Sequence, residues 1–139
     1  LILWPGYCPT HARIHPKDIL DLKAAHPRAL ALAHPECPKP VRLVADHVLS
    51  TGQMCKFVLE SPAMEFILAT EEGLLHRLRK DNPTKTFYRV SPFAVCPNMK
   101  RNTLEKVLFC LRDMSPSVHV DPAIAARARR AIEQMLAWS

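Results

Sequence analysis

Apolar and polar positions along the chain recur with two periods, about 3.6 residues in some segments and two in others. Residues 14–25 read as a helix, with Ile19, Leu20, Leu22 and Lys23 giving a mixed face behind Pro16 in its first turn. Residues 28–33 form a short apolar run stopped by His34-Pro35 and predict a strand. Residues 41–46 read as a helix and 47–49 as a short buried strand. Residues 52–60 have helical spacing through Met54, Phe57 and Val58, with Ser50 or Thr51 able to cap them. The pattern then repeats, with a strand over 65–70, a helix over 72–80 through Leu74, Leu75 and Leu78, and a strand over 86–90. Beyond Cys96 come an amphipathic helix over 103–112, a short strand over 118–120 and the strongest helical pattern in the chain, 122–138.

Strand alternating with helix at intervals of about twenty residues predicts an α/β fold, a three-layer αβα arrangement around a short parallel sheet. In such sheets ligands bind beyond the carboxyl ends of the strands. The segments that follow the predicted strands are His34-Pro35-Glu36-Cys37, Ser50-Thr51-Gly52, Thr70-Glu71-Glu72-Gly73 and the run from Ser91 to Cys96. They are the most chemically loaded stretches of the chain, and this topology brings them to one edge.

A chain of 139 residues, 48% hydrophobic and 23% charged, suits one globular domain, or one domain plus a stretch that packs elsewhere. The thirteen prolines lie between apolar runs and predict stiff connections. No apolar run approaches bilayer-spanning length and no signal-peptide pattern is visible, so membrane association is not expected. The apolar start Leu1-Ile-Leu-Trp4, without an initiator Met, is read as a strand-like cut edge of a longer protein. A net charge of +6 raises nucleic-acid binding as a possibility. The basic residues are scattered, however, and no nucleic-acid motif accompanies them, so such a partner is not expected.

The five cysteines are odd in number and widely spaced, which argues against a disulfide framework. Cys55 and Cys110 fall among apolar neighbours in predicted helices and read as core thiols. Cys8, Cys37 and Cys96 lie in loops beside prolines, within reach of a metal or substrate.

Five blocks carry a resemblance: Trp4-Pro-Gly6-Tyr-Cys8-Pro-Thr-His11, His34-Pro-Glu36-Cys37, Ser50-Thr51, Ala69-Thr70-Glu71-Glu72-Gly73 and Cys96-Pro-Asn98-Met99-Lys100. In this order, over nearly the whole chain, they resemble quinolinate synthase of the 4Fe–4S type, and specifically its C-terminal portion. The resemblance implies three αβα domains in a pseudo-threefold arrangement, each supplying one cysteine to a shared cluster. Cys8 and Cys96, 88 residues apart, match two of these ligands. Residues 1–8 would then end the second domain, 9–96 would form the third, and 97–139 would be a helical tail packing on a first domain that this chain lacks, together with the third cysteine ligand.

The implied activity is condensation of iminoaspartate with dihydroxyacetone phosphate to quinolinate in de novo NAD biosynthesis, with the cluster as Lewis acid. An L-aspartate oxidase or dehydrogenase would supply the iminoaspartate. His11, His34 and Glu36 match the family's catalytic positions, and His34, Glu36, Ser50 and Thr51 its substrate-binding positions. An imidazole and a carboxylate on one strand-end loop suit proton transfer near neutral pH. The same residues admit a plainer reading, in which Glu36 caps the next helix and His34 bonds only to backbone. Ser50 and Thr51 open a helix whose free N–H groups suit an anion, and ordinary capping accounts for them equally well. Cys37 reads as a small buried residue.

Because a ligand and much of the pocket lie outside it, this chain alone is expected to show little or no turnover. The alternative from another class is a non-catalytic metal- or nucleic-acid-binding module. Its zinc form would use Cys8, Cys37, Cys96 and His34, and the lack of paired Cys-x-x-Cys spacing counts against it.

Overall fold

The computed structural model describes residues 5–138 of the protein, so the apolar start at Leu1–Trp4 lies outside the described residues. Contacts divide the chain into two compact units, one ending at Pro97 and one beginning at Asn98.

The first unit is a parallel four-stranded sheet with helices on both faces. In chain order its elements are α1 (Pro9–Ala12), α2 (Pro16–Ala25), β1 (Leu30–Ala33), α3 (Lys39–Val44), β2 (His47–Val48), α4 (Thr51–Glu60), β3 (Glu65–Ala69), α5 (Gly73–Asp81) and β4 (Thr86–Arg89). The strands lie in the order β2-β1-β3-β4 and every pairing is parallel. The three-layer α/β class read from the sequence is therefore the observed one.

The sheet holds because its two central strands are apolar on both faces, as a parallel sheet between helix layers requires. Successive residues alternate sides. Ala31, Ala33, Ile67 and Ala69 point to one layer, where they meet Ile19 and Val41 from α2 and α3. Leu32, Phe66 and Leu68 point to the other, against Met54 and Val58 of α4 and Leu75 and Leu78 of α5. Three of the four strand side chains facing the first layer are alanine methyls, and a thin surface of that kind lets α2 and α3 lie close. The second layer is built from bulk. Phe66 is fully buried and its ring stacks on Phe87 with centroids 5.8 Å apart, a burial that contributes roughly 1.5–3 kcal/mol by area.

The helix starts follow local chemistry. Pro16 occupies the first turn of α2, and the Asp18 carboxylate accepts the His15 N–H at 2.8 Å. Ser50 and Gln53 form a reciprocal capping box on α4: Ser50 N–H donates to Gln53 Oε1 at 2.8 Å, and Gln53 N–H donates to Ser50 Oγ at 3.4 Å.

The second unit, described by itself, contains a 3-10 turn (Met99–Arg101) and the helices α6 (Leu104–Asp113) and α7 (Pro122–Ala137). Thr103 caps α6 and Asp121 caps α7, the latter accepting from the N–H groups of both Ala123 and Ile124. Met114 ends α6 in the left-handed region at φ 48°. Leu104, Leu111, Ile132, Met135, Leu136 and Trp138 are all exposed.

Four expectations are corrected. Residues 47–49 form an edge strand, but His47 and Val48 are exposed, because β2 pairs on one side only and is too short to be covered. His47 instead leans on the Phe57 ring, with centroids 4.4 Å apart. Residues 118–120 form no strand, for among the described residues nothing pairs with them. Cys55 is half-buried and packs against the second core layer, but Cys110 is exposed, so it is not a core thiol in this chain. The helix expected over 14–25 starts at Pro16 and is preceded by the separate turn α1.

Asp46 fastens the exposed edge strand to β1. Its backbone N–H donates to Ala31 O at 2.9 Å, and its carboxylate accepts the Ala31 N–H and the Lys23 ammonium, both at 2.7 Å. Partial burial raises the Asp46 pKa, but the Lys23 and Ala31 hydrogen bonds outweigh it and hold the carboxyl below its ordinary 3.8. A depressed folded-state pKa gives stability that is present above about pH 3.8 and lost as the pH falls through the folded value. Asp46→Ala is expected to cost about 1–3 kcal/mol at neutral pH, read from the denaturant midpoint. The gap from wild type should narrow in acid below pH 4, and an equal gap at pH 3 and pH 7 would refute the ionic role.

Candidate active site

The strand order sets the position of the site. The chain leaves β1 for β2 on one side and later leaves β3 for β4 on the other, so the topological switch lies between the carboxyl ends of β1 and β3. His34 and Glu36 follow β1, and Thr70 and Glu71 follow β3. At this point neighbouring connections diverge and leave a crevice.

Into that crevice the α1 turn delivers a thiol and an imidazole. Cys8 is the N-cap residue with extended backbone, Pro9 starts the turn, and Ala12 N–H closes it on Cys8 O at 3.0 Å. Residues three apart share a helix face, so Cys8 and His11 come to one side. The His11 side chain is 8% exposed. Its Nε2 lies 3.1 Å from Thr70 Oγ1, and its ring stacks on His34 with centroids 4.5 Å apart and planes 12° from parallel. Its Nδ1 lies 3.1 Å from Glu36 Oε2, but off the line of a hydrogen bond, so this buried nitrogen has no hydrogen-bond partner. Burial is the largest influence on His11 and lowers its pKa. A charge on His34 acts in the same direction, and the Glu36 carboxylate opposes both.

The His34 loop is tied to the sheet by backbone. His34 N–H donates to Ala69 O at 3.1 Å and Cys37 N–H to His34 O at 2.9 Å. His34 Nδ1 accepts the Glu36 N–H at 3.2 Å, so in the neutral ring Nε2 carries the proton. Glu36 does not cap α3. Its carboxylate is 57% exposed and turns toward the two imidazoles. Cys37 is buried and donates its thiol to Ala69 O at 3.2 Å, and burial pushes its pKa up to about 11.

Glu71 joins the two sides of the crevice. Its Oε2 accepts the Gly73 N–H at the start of α5 at 2.7 Å, and its Oε1 accepts the Cys96 N–H at 3.2 Å. The half-buried Cys96 loop is thus held by the residue next to the one that holds His11. Glu72 turns outward to Arg89, 3.2 Å away.

Among the sequence-derived candidates, Cys8, His11, His34 and Glu36 gather in one cluster. Cys96 stands on the same edge through Glu71. Ser50 and Thr51 begin α4 beyond β2, where the Ser50 hydroxyl accepts from Gln53 and Thr51 is exposed. The zinc set of Cys8, Cys37, Cys96 and His34 does not assemble, because the Cys37 thiol is sealed against Ala69. The described residues whose donor atoms do lie within 4.8 Å of one another are Cys8, His11 and Glu36. Sequence reasoning missed the contacts of Thr70 with His11 and of Glu71 with Cys96. Their signal was the strand-end position of the Thr70-Glu71 pair.

Fold and site together define a parallel α/β domain of ligand-binding type, with thiol, imidazole and carboxylate at its switch point. The family profile described as quinolinate synthetase A protein matches residues 1–137. The chain belongs to that family. It is similar to the quinolinate synthase of Dehalococcoides mccartyi, 49% identical over 98% of this chain and 45% of the relative. It is also similar to that of Geotalea uraniireducens, 48% identical over 96% of this chain and 44% of the relative. Quinolinate synthase 1 of Methanosarcina acetivorans is 47% identical over 99% of this chain and 45% of the relative. The chain therefore spans less than half the length of the curated relatives it matches. No helix among the described residues is long and apolar enough to cross a membrane.

The bridging role of Glu71 has a direct test. Glu71→Gln leaves one acceptor oxygen for two N–H donors, so either Gly73 or Cys96 loses its partner. The expected cost is about 1–3 kcal/mol, a fall of several degrees in melting temperature. An unchanged melting temperature would remove the bridge from the account.

Proposed function

We propose that this chain is the part of a quinolinate synthase that holds two of three cluster cysteines and the acid–base residues. The whole protein would condense iminoaspartate with dihydroxyacetone phosphate, releasing phosphate and two waters as the pyridine ring closes, in de novo NAD biosynthesis in the cytoplasm. The observation that carries this reading is the buried His11, held between Thr70 and Glu36 beside Cys8 at the switch point.

The donor chemistry fits an iron–sulfur group. Cys8 and Cys96 are half-buried cysteines on the carboxyl-edge loops, neither of them in a disulfide, and soft thiolates are the ligands such clusters take. They would hold a 4Fe–4S cluster together with a third cysteine from the remainder of the protein. When bound, the cluster supplies Lewis acidity through an iron without a protein ligand.

The protein's own residues account for the proton transfers. His34 donates from Nε2, because Nδ1 is committed to the Glu36 backbone. His11, kept neutral by burial, accepts at Nδ1, where the Glu36 carboxylate 3.1 Å away stabilises the imidazolium that forms. Thr70 fixes the orientation of the His11 ring. Glu36, more than half exposed, meets substrate from the open side, and Ser50 and Thr51 offer the start of α4 to a substrate carboxylate or phosphate. The apolar residues exposed along α6 and α7 would be covered by the first domain of the whole protein. An L-aspartate oxidase or dehydrogenase would supply the iminoaspartate.

In the full-length protein, His11→Ala and Glu36→Gln are expected to lower kcat by about 10²–10⁴-fold with the cluster retained. Cys8→Ala and Cys96→Ala are expected to abolish the cluster absorbance and, with it, quinolinate formation. Anaerobic quinolinate assay with iron analysis checks both, and variants within twofold of wild type would sink the assignment. The present chain assayed alone should give little or no turnover.

A further inference from the structure

We propose that Cys8, His11 and Glu36 form a mononuclear zinc site, which cluster-free protein fills through Cys8 Sγ, His11 Nδ1 and Glu36 Oε2. One donor atom from each of the three lies within 4.8 Å of the others, and His11 Nδ1, 3.1 Å from Glu36 Oε2, is a buried nitrogen with no hydrogen-bond partner. A buried polar group left unsatisfied is costly, and a metal would satisfy it.

The spacing suits one tetrahedral ion. With zinc–nitrogen and zinc–oxygen bonds near 2.1 Å and zinc–sulfur near 2.3 Å, adjacent donors stand about 3.4 Å (N to O) and about 3.6 Å (N to S) apart. The observed His11 Nδ1 to Glu36 Oε2 separation is 3.1 Å, so closure on an ion needs movement of only a few tenths of an ångström there. One sulfur, one nitrogen and one oxygen form a set for a borderline-soft divalent cation, and three protein ligands leave a fourth position for water.

The surroundings supply the outer contacts that metal-bound histidines need. His11 Nε2 faces Thr70 Oγ1 at 3.1 Å, which fixes the ring with Nδ1 toward the ion. Glu36 is anchored through its backbone N–H on His34 Nδ1 at 3.2 Å, and the His34 ring covers His11. Cys37 is excluded because its thiol is committed to Ala69 O at 3.2 Å. Zinc binding displaces the Cys8 thiol proton to solvent and ties up that sulfur. On the proposed function Cys8 is also a cluster ligand, so zinc and cluster assembly exclude one another.

The test uses full-length protein freed of cluster and metal, titrated with zinc chloride against a chromophoric chelator. One equivalent should bind, and Cys8→Ala, His11→Ala and Glu36→Gln should each weaken it by about tenfold or more. Cys96→Ala and Cys37→Ala should leave the affinity within about twofold. Unchanged affinity in His11→Ala overturns the proposal. Equal loss in Cys96→Ala also overturns it, because that places zinc on the cluster cysteines. Should His11→Ala not fold, cobalt(II) on the wild-type protein reads the ligand set directly: the charge-transfer intensity of one thiolate supports the site and that of two or three refutes it. Iron–sulfur reconstitution of Cys96→Ala keeps the two readings apart. A full cluster in that variant would defeat the cluster assignment and leave the zinc result standing.

Discussion

At the carboxyl end of the central strand pair, one carbonyl does two jobs. Ala69 O accepts the His34 N–H, which extends the β1–β3 ladder by one residue, and it also accepts the Cys37 thiol. The residue after Ala69 is Thr70, whose hydroxyl meets His11, and the next is Glu71, whose carboxylate meets the Cys96 N–H. The His34 loop, the α1 turn and the Cys96 loop are therefore all referenced to the last residues of β3. The register Ala33–Ala69 is enforced by the alternation of small and large side chains, since a slip by one residue would turn Ile67 and Leu68 into each other's layers. Site geometry thus depends on core packing, and errors in the core would be felt at the site.

The electrostatics of the cluster follow from an imbalance in burial. His11 is sealed and loses affinity for protons, while the Glu36 carboxylate beside it stays solvated. An isolated buried imidazole would be a poor acceptor in chemistry near neutral pH. With a carboxylate 3.1 Å away, the imidazolium is stabilised at the moment it forms. His34 opposes this when charged. Its Nδ1 accepts the Glu36 N–H, and its ring stacks on that of His11.

Much of the architecture was legible because the parallel sheet writes a simple code: short apolar runs at regular intervals, with chemistry in the segments that follow. Ala31 to Ala33 and Phe66 to Ala69 are buried on both faces, and no amphipathic pattern obscures them. The edge strand at His47 and Val48 was misjudged because a short β-favouring run at an edge looks the same in sequence as one at the centre, and only pairing distinguishes them. Residues 118–120 have strand-favouring valines, but propensity without a partner strand builds nothing. Around the site, the capping of α4 by Ser50 was visible as a Ser-x-x-Gln spacing. The contacts of Thr70 and Glu71 join residues 59 and 25 positions apart, a range at which periodicity is silent. The one-turn helix that presents His11 is too short for any period to show.

On the readings proposed above, the same three donors would serve two chemistries, and what separates them is the occupant of Cys8. An imidazole nitrogen without a hydrogen-bond partner, poised beside a carboxylate, is what a proton acceptor requires. With a thiolate added, it is also what a zinc ion requires. A site tuned for proton transfer cannot remove that nitrogen or carboxylate without losing its function, so selectivity against the wrong metal has to come from the sulfur. On the proposed reading, a cluster on Cys8 withdraws the softest of the three ligands and leaves His11 and Glu36 as an acid–base pair. On that reading the arrangement would be open to zinc before the cluster is assembled and would keep a general base next to it afterwards.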